Sequence, residues 1–155
     1  MKTHGKISTE MEVEVPVSQA WDLYGTLKLI DVVVPDLFKE IKILEGDGGE
    51  GTILDLIFNP GAPFASYEER IHKVDDENMV KEIDVSKGGF LDLGFTLFRI
   101  CWEVIEKTPS SCITRVSITF DVKEDSVANL SYVSILPFIG MMKATTNYLL
   151  KNQTK

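Results

Sequence analysis

At 155 residues, 44% of them hydrophobic and 26% charged, the chain has the length of one domain with one substantial core, spanning 1–155. A formal net charge of -8, from 24 acidic against 16 basic residues, leaves no basic surface for a nucleic-acid partner. No apolar run reads as long and uninterrupted enough to span a bilayer, and the N-terminus MKTHGKISTE lacks a signal-peptide core.

The first predicted element is a half-buried strand over 6–15, KISTEMEVEV. Ile7, Met11, Val13 and Val15 fall on one face, and Ser8, Glu10, Glu12 and Glu14 on the other. Pro16 ends it, Ser18 is a candidate N-cap, and QAWDLYG makes a short helix closed by Gly25. The stretch TLKLIDVVVPDLF is helical by length, β-branched by composition and broken at Pro35, so its type stays open. Strands then follow over 38–45, 52–58, 64–74, 79–86, 90–105 and 111–122, with turn signals at GDGGEG, NPGAP, VDDEN, SKGG and EKTPSS. Connections this short favour an antiparallel meander. Last comes a long helix capped by Ser126, with Val127, Leu130, Val133, Phe138, Met141, Thr145 and Tyr148 in a stripe and a kink expected at Pro137. A long helix on one face of a curved antiparallel sheet is an α+β fold. Met141 and Met142 are soft side chains suited to an adaptable cavity wall.

Two features invite a chemical reading. The glycine-rich run EGDGGEGT (45–52) lacks the Lys that a phosphate loop needs after its last glycine. Glu45, Asp47 and Glu50 surround it with negative charge, so it reads as a turn between strands. The second feature is the hairpin SYEERIHKVDDENMVKEIDV. Alternation puts Tyr67, Glu69 and Ile71 on one face of its first strand, and Met79, Lys81, Ile83 and Val85 on one face of its second. Glu69 and Lys81 thus sit on the more apolar faces, as diagonal neighbours if the turn centres near Asp76. One reading is an ion pair on a solvated sheet or a charge guarding a sheet edge. The other is a Tyr, Glu and Lys set inside a cavity, where desolvation pushes the Lys toward neutrality and the Glu toward protonation. His4 and His72 are isolated, and Cys101 and Cys112 lack metal spacing and read as free thiols of a reducing compartment. We therefore expect no metal, no nucleotide or other cofactor, and a cytoplasmic location.

The segments GDGGEGTILDL, YEE and GGFLDLG, and the order strand, two short helices, six strands, long helix, resemble the pathogenesis-related class 10 family, typified by the major birch pollen allergen. Within it, the chain looks most like the norcoclaurine synthase-like and major-latex-protein-like members. The resemblance implies a helix-grip fold, in which a curved seven-stranded sheet wraps the C-terminal helix and encloses a hydrophobic cavity. In the synthase branch a Tyr, a Glu and a Lys catalyse condensation of dopamine with an aldehyde, and those positions match Tyr67, Glu69 and Lys81. A cavity Tyr and an Asp of that branch fall on Phe90 and Ile100, which favours a neutral substrate over a protonated amine. With Phe98, Phe138, Met141 and Met142, these two are the expected ligand-binding residues. The family also holds non-catalytic carriers, so two functions stand. One is a cyclase or lyase of specialised metabolism acting on a small carbonyl or enol, of alkaloid or iridoid type. The other is a carrier or receptor for hydrophobic metabolites. Expected partners are a small hydrophobic molecule and a pathway enzyme supplying a reactive intermediate, with the chain a monomer or weak dimer.

Overall fold

A computed structural model describes residues 2–153. Seven strands form one antiparallel sheet in the order β1-β7-β6-β5-β4-β3-β2. Strand β1 (Lys2–Val13) starts four residues earlier than its alternation suggests. Its first residues bury little and are held by backbone pairing to β7 (Ser111–Lys123), which runs from Lys2↔Lys123 to Val13↔Cys112. Hydrophobic pattern registers burial, and pairing alone leaves no such trace.

Helix α1 (Val17–Tyr24) is entered through Pro16, and Ser18 makes no capping bond. At its far end the Gly25 amide donates to the Trp21 carbonyl at 2.8 Å. Trp21 also donates its indole N–H to Asp76 Oδ1 at 2.9 Å, which ties α1 to the turn between β4 (Ser66–Asp75) and β5 (Val80–Gly88). The ambiguous stretch resolves as a single helical turn, α2 (Leu29–Val33), which stops ahead of Pro35 as the restriction on pre-proline residues requires.

The glycine-rich run joins β2 (Phe38–Glu45) to β3 (Ile53–Phe58). Gly46, Gly48 and Gly51 take φ values of 94°, 107° and 88°, the left-handed region open to glycine. Thr52 Oγ1 accepts the Gly48 amide at 2.9 Å, and a Cβ on Gly46 would lie 2.5 Å from that same oxygen. The loop is a turn folded around the Thr52 hydroxyl.

Two expected elements divide. The strand expected from 90 begins later, as β6 (Phe95–Thr108), because residues Gly89–Leu93 coil into a 3-10 turn that enters through Gly88 and leaves through Gly94, both at positive φ. The long C-terminal helix also splits, into a 3-10 segment (Glu124–Tyr132) and α3 (Leu136–Lys151), separated at 133–135. Pro137 sits in the first turn of α3, where its missing N–H costs nothing, so it starts a helix and kinks none. By length and composition, residues 124–151 together pass for a membrane span, contrary to the sequence reading. The break leaves α3 with 16 residues. That is about 24 Å of helix, against a hydrocarbon core of roughly 30 Å. Its stripe of Phe138, Met142, Thr145 and Leu149 is buried against the rest of the fold.

Candidate active site

A cavity of about 420 Å³ lies between the sheet, α2 and α3. That is in the range of small-molecule sites. Its wall is mostly apolar: Leu29, Ile30 and Val33 from α2, Leu54 and Leu56 from β3, Ile83 from β5, Ile100 and Trp102 from β6, and Phe138 and Met141 from α3. Two charged side chains line it, Glu69 from β4 and Lys81 from β5, together with the phenol of Tyr67. All three are buried, at 8%, 7% and 4% exposure for Tyr67, Glu69 and Lys81.

Strand period puts them there, because Tyr67, Glu69 and Ile71 alternate inward on β4 while Lys81, Ile83 and Val85 do so on β5. Their register differs from the diagonal expectation. Glu69 pairs with Val85, and Lys81 with Val74 on one side and Trp102 on the other. The cause is a longer turn, which a bulge only partly offsets. Asp75 accepts the Asn78 amide at 3.0 Å and its side-chain N–H at 2.9 Å, and Met79 closes the loop at φ 55°. Register then slips between Ile71 and Lys73. Glu69 and Lys81 are therefore set further apart along the hairpin. Among the described residues no ion pair within 4.0 Å joins them.

Burial dominates the electrostatics. It raises the Glu69 carboxyl from 4.5 to about 7, although the Lys81 ammonium pulls it down. It lowers the Lys81 ammonium from 10.5 to about 8, although Glu69 pulls it up. The Tyr67 phenol lies well above its usual value, first from burial and then from the neighbouring Glu69 charge, so it stays protonated as a hydrogen-bond donor for a ligand. Near neutral pH the cavity therefore holds an acid and a base that both exchange protons readily.

Aromatic packing fixes the phenol. The Tyr67 ring lies 4.9 Å from Phe58, 5.9 Å from Phe64 and 6.3 Å from Phe90 between centroids. Gly89 passes so close that a Cβ there would fall 2.5 Å from Tyr67 Cδ2.

Of the six expected ligand-binding residues, Phe90, Ile100, Phe138 and Met141 line the cavity. Phe98 and Met142 do not. Phe98 lies behind Phe90, its ring stacked at 3.7 Å and 6°, because an irregularity between Phe95 and Leu97 turns both Phe95 and Phe98 into the core. Met142 falls on the buried stripe of α3, one helical turn from Phe138, while Met141 beside it lines the cavity. The sequence reading missed Trp102, although it alternates with Ile100 on β6, and missed Phe64, which lies in irregular chain, and Tyr132, which ends the 3-10 segment. Trp102 pairs with Lys81 across the β5–β6 ladder and packs on Tyr24 and Phe138 at 5.0 and 6.2 Å.

A curved sheet gripping a terminal helix around an apolar, ligand-sized cavity defines a class of small-molecule-binding proteins. The chain belongs to the pathogenesis-related protein Bet v 1 family, whose profile matches residues 3–152. It is 34% identical over 154 residues to norbelladine synthase of Narcissus pseudonarcissus, covering 97% of this chain and 94% of that one. It is 33% identical to S-norcoclaurine synthase 2 of Papaver somniferum, over 96% of this chain but 66% of the longer synthase. The solved norcoclaurine synthase of Thalictrum flavum, in complex with dopamine and hydroxybenzaldehyde, superposes with a TM-score of 0.88 at 30% identity, covering 99% of this chain and 91% of that one. A ginseng major latex-like protein shares the fold at a TM-score of 0.75 and 15% identity, over 98% of this chain and 99% of that one.

Proposed function

We propose that the protein is an enzyme of specialised metabolism that condenses or cyclises a small carbonyl or enol substrate inside the cavity. The observation that carries this reading is the burial of Glu69 and Lys81 in one apolar chamber, with the carboxyl raised to about 7 and the ammonium lowered to about 8. Lys81 acts as general acid, delivering a proton to the carbonyl or carbinolamine oxygen. Glu69 takes the proton released from the attacking group, and Tyr67 holds the substrate by donating a hydrogen bond. Such proton transfer is worth about a hundred- to ten-thousand-fold in rate. Apolar walls add rate by holding one reactive conformer and excluding water.

Similarity to norbelladine and norcoclaurine synthases supports the reaction class, and a bound hydroxybenzaldehyde in the Thalictrum synthase supports an aldehyde as the electrophile. For this chain we propose a neutral substrate, because Phe90 and Ile100 offer no counter-charge and Glu69 is already balanced by Lys81. The rival reading is a carrier that uses the apolar walls without chemistry. The two separate on Lys81→Met, assayed by product formation and by displacement of a fluorescent apolar probe. An enzyme loses turnover and keeps probe binding. Unchanged turnover in the variant would remove Lys81 from the mechanism.

A further inference from the structure

We propose that Lys81 is also a nucleophile: its Nζ captures a neutral aldehyde in the cavity, first as a carbinolamine and then as an imine. The inference rests on the proposed placement of a carbonyl beside Lys81, but assigns the nitrogen a bond-forming role that general acid catalysis does not include.

Four features of the site converge on it. Lys81 is buried on β5, flanked across the ladders by Val74 and Trp102, and it lines a chamber open to small molecules. Its amine is not tied up, since among the described residues it makes no hydrogen bond and no ion pair within 4.0 Å. By contrast Lys28 and Lys107 are each held by a carboxylate at the surface. Desolvation also makes the amine available. With its pKa at about 8, roughly a tenth of Lys81 is neutral at pH 7, about 300-fold more than for a lysine at 10.5. Finally, imine formation expels water, which an apolar wall favours, and it needs a proton carrier, which Glu69 supplies near pH 7.

The step balances without oxidant or reductant. The Nζ lone pair adds to the carbonyl carbon, the C=O π pair moves to oxygen, and the protonated Glu69 carboxyl gives that oxygen a proton. Nitrogen returns a proton to the carboxylate, leaving a neutral carbinolamine. Glu69 then protonates the hydroxyl, which leaves as water while the nitrogen lone pair closes the C=N bond. The resulting iminium faces the Glu69 carboxylate and is a stronger electrophile than the aldehyde. An incoming amine adds to it, passes a proton to Nζ and expels Lys81 as the free amine. An enol carbon adds to form a C–C bond and gives its O–H proton to Glu69; Glu69 returns that proton to Nζ, and removal of the α-proton expels the lysine as the free amine, leaving a conjugated C=C.

The test is reductive trapping of the full chain with hydroxybenzaldehyde and sodium cyanoborohydride at pH 7, without any amine substrate, read by intact mass and peptide mapping. The expected result is one hydroxybenzyl group per chain on Lys81, formed at least about tenfold faster than on any surface lysine, given the neutral-amine advantage. Mapping separates it from the α-amino terminus, which is also partly neutral at this pH. Lys81→Met and Lys81→Arg should both lose this label, the second while keeping the positive charge, and Glu69→Gln should form it more slowly. Labelling that spreads evenly over surface lysines, or that persists in both Lys81 variants, overturns the proposal. Productive turnover of an aldehyde with no trapped adduct also overturns it and leaves Lys81 a general acid. Trapping without turnover of any substrate upholds it and removes the condensing enzyme.

Discussion

Replacing Lys81 by Met should make the protein more stable at acidic and neutral pH, and the gain should fade as pH rises. The two side chains have similar length, so little packing is lost. What disappears is the cost of keeping an ammonium out of water. A displacement from 10.5 to about 8 corresponds to about 3 kcal/mol, carried in full below pH 8 and relieved between pH 8 and 10.5. The sign follows from proton counts. In that upper window the unfolded chain binds more protons at Lys81 than the folded one, so raising the pH favours folding of the parent and narrows the difference. Glu69 runs the opposite way. Its raised pKa means that the folded chain binds more protons between about 4.5 and 7, so parent stability falls as pH climbs through that range. In the variant, Glu69 loses the ammonium that held it down, so its falling window extends above 7 and erodes the gain further. Urea or thermal unfolding of both proteins at pH 6 and pH 10 measures the difference. The expectation at pH 6 is a gain of up to about 3 kcal/mol, or about 6–12 °C for a chain of this size. A variant less stable than the parent at pH 6, or an offset that does not change with pH, would refute the reasoning.

Four further outcomes follow from the same site. The rate of product formation should be bell-shaped in pH, rising with a limb near 7 as Glu69 deprotonates and falling with one near 8 as Lys81 does, and a flat profile from pH 5 to 10 would contradict the assignment. Glu69→Gln should cut the rate about a hundred- to ten-thousand-fold and move the alkaline limb below 8, since the carboxylate that raises Lys81 is gone; pH–rate profiles of the variant check both. Gly89→Ala should cost about 1–2 kcal/mol in denaturant unfolding, because φ there is 53° and the new Cβ meets the Tyr67 ring, and it should lower kcat by displacing the phenol. A neutral dialdehyde or enol should be cyclised in preference to condensation of dopamine, when both are assayed against uncatalysed controls; efficient, stereoselective turnover of dopamine would show that Ile100 is not where an amine needs its counter-charge.

How much was legible from sequence follows the range of the forces involved. The inward face of β4 and β5 was readable because strand alternation is local and strict, and it singled out Tyr67, Glu69 and Lys81 without any knowledge of the cavity. Register was not readable. It depends on how the Asp75 side chain folds the turn and where the ladder bulges, neither of which hydrophobicity reports. An irregularity in β6 turns Phe98 into the core, while Phe90, carried on the preceding 3-10 turn, lines the ligand space in front of it. On α3 the choice between Met141 and Met142 was a matter of 100° of helical rotation, fixed by packing against the sheet. Phe64 escaped because irregular chain has no period to read, and Tyr132 because a 3-10 segment stands where an α-helical period was expected.

The Glu69–Lys81 pair is hard to account for as a device that stabilises the fold. Each group is displaced in the direction that desolvation drives it, and in both cases burial outweighs the attraction of the partner. A direct, well-bonded pair would reverse that order, with the carboxyl pulled down and the ammonium pushed up. In more exposed pairs of the same protein the cation does go up, as the raised Arg99 beside Asp84 and the raised Lys107 beside Glu12 show. Apolar residues of similar volume at 69 and 81 would complete the core at lower cost, since buried ion pairs seldom repay their desolvation. The arrangement makes sense when something else enters the space between them. In the proposed reaction a carbonyl whose oxygen gains negative charge would be stabilised by Lys81, and a nitrogen or carbon acid losing a proton would find Glu69, so the penalty the two buried groups carry would be relieved along the reaction coordinate.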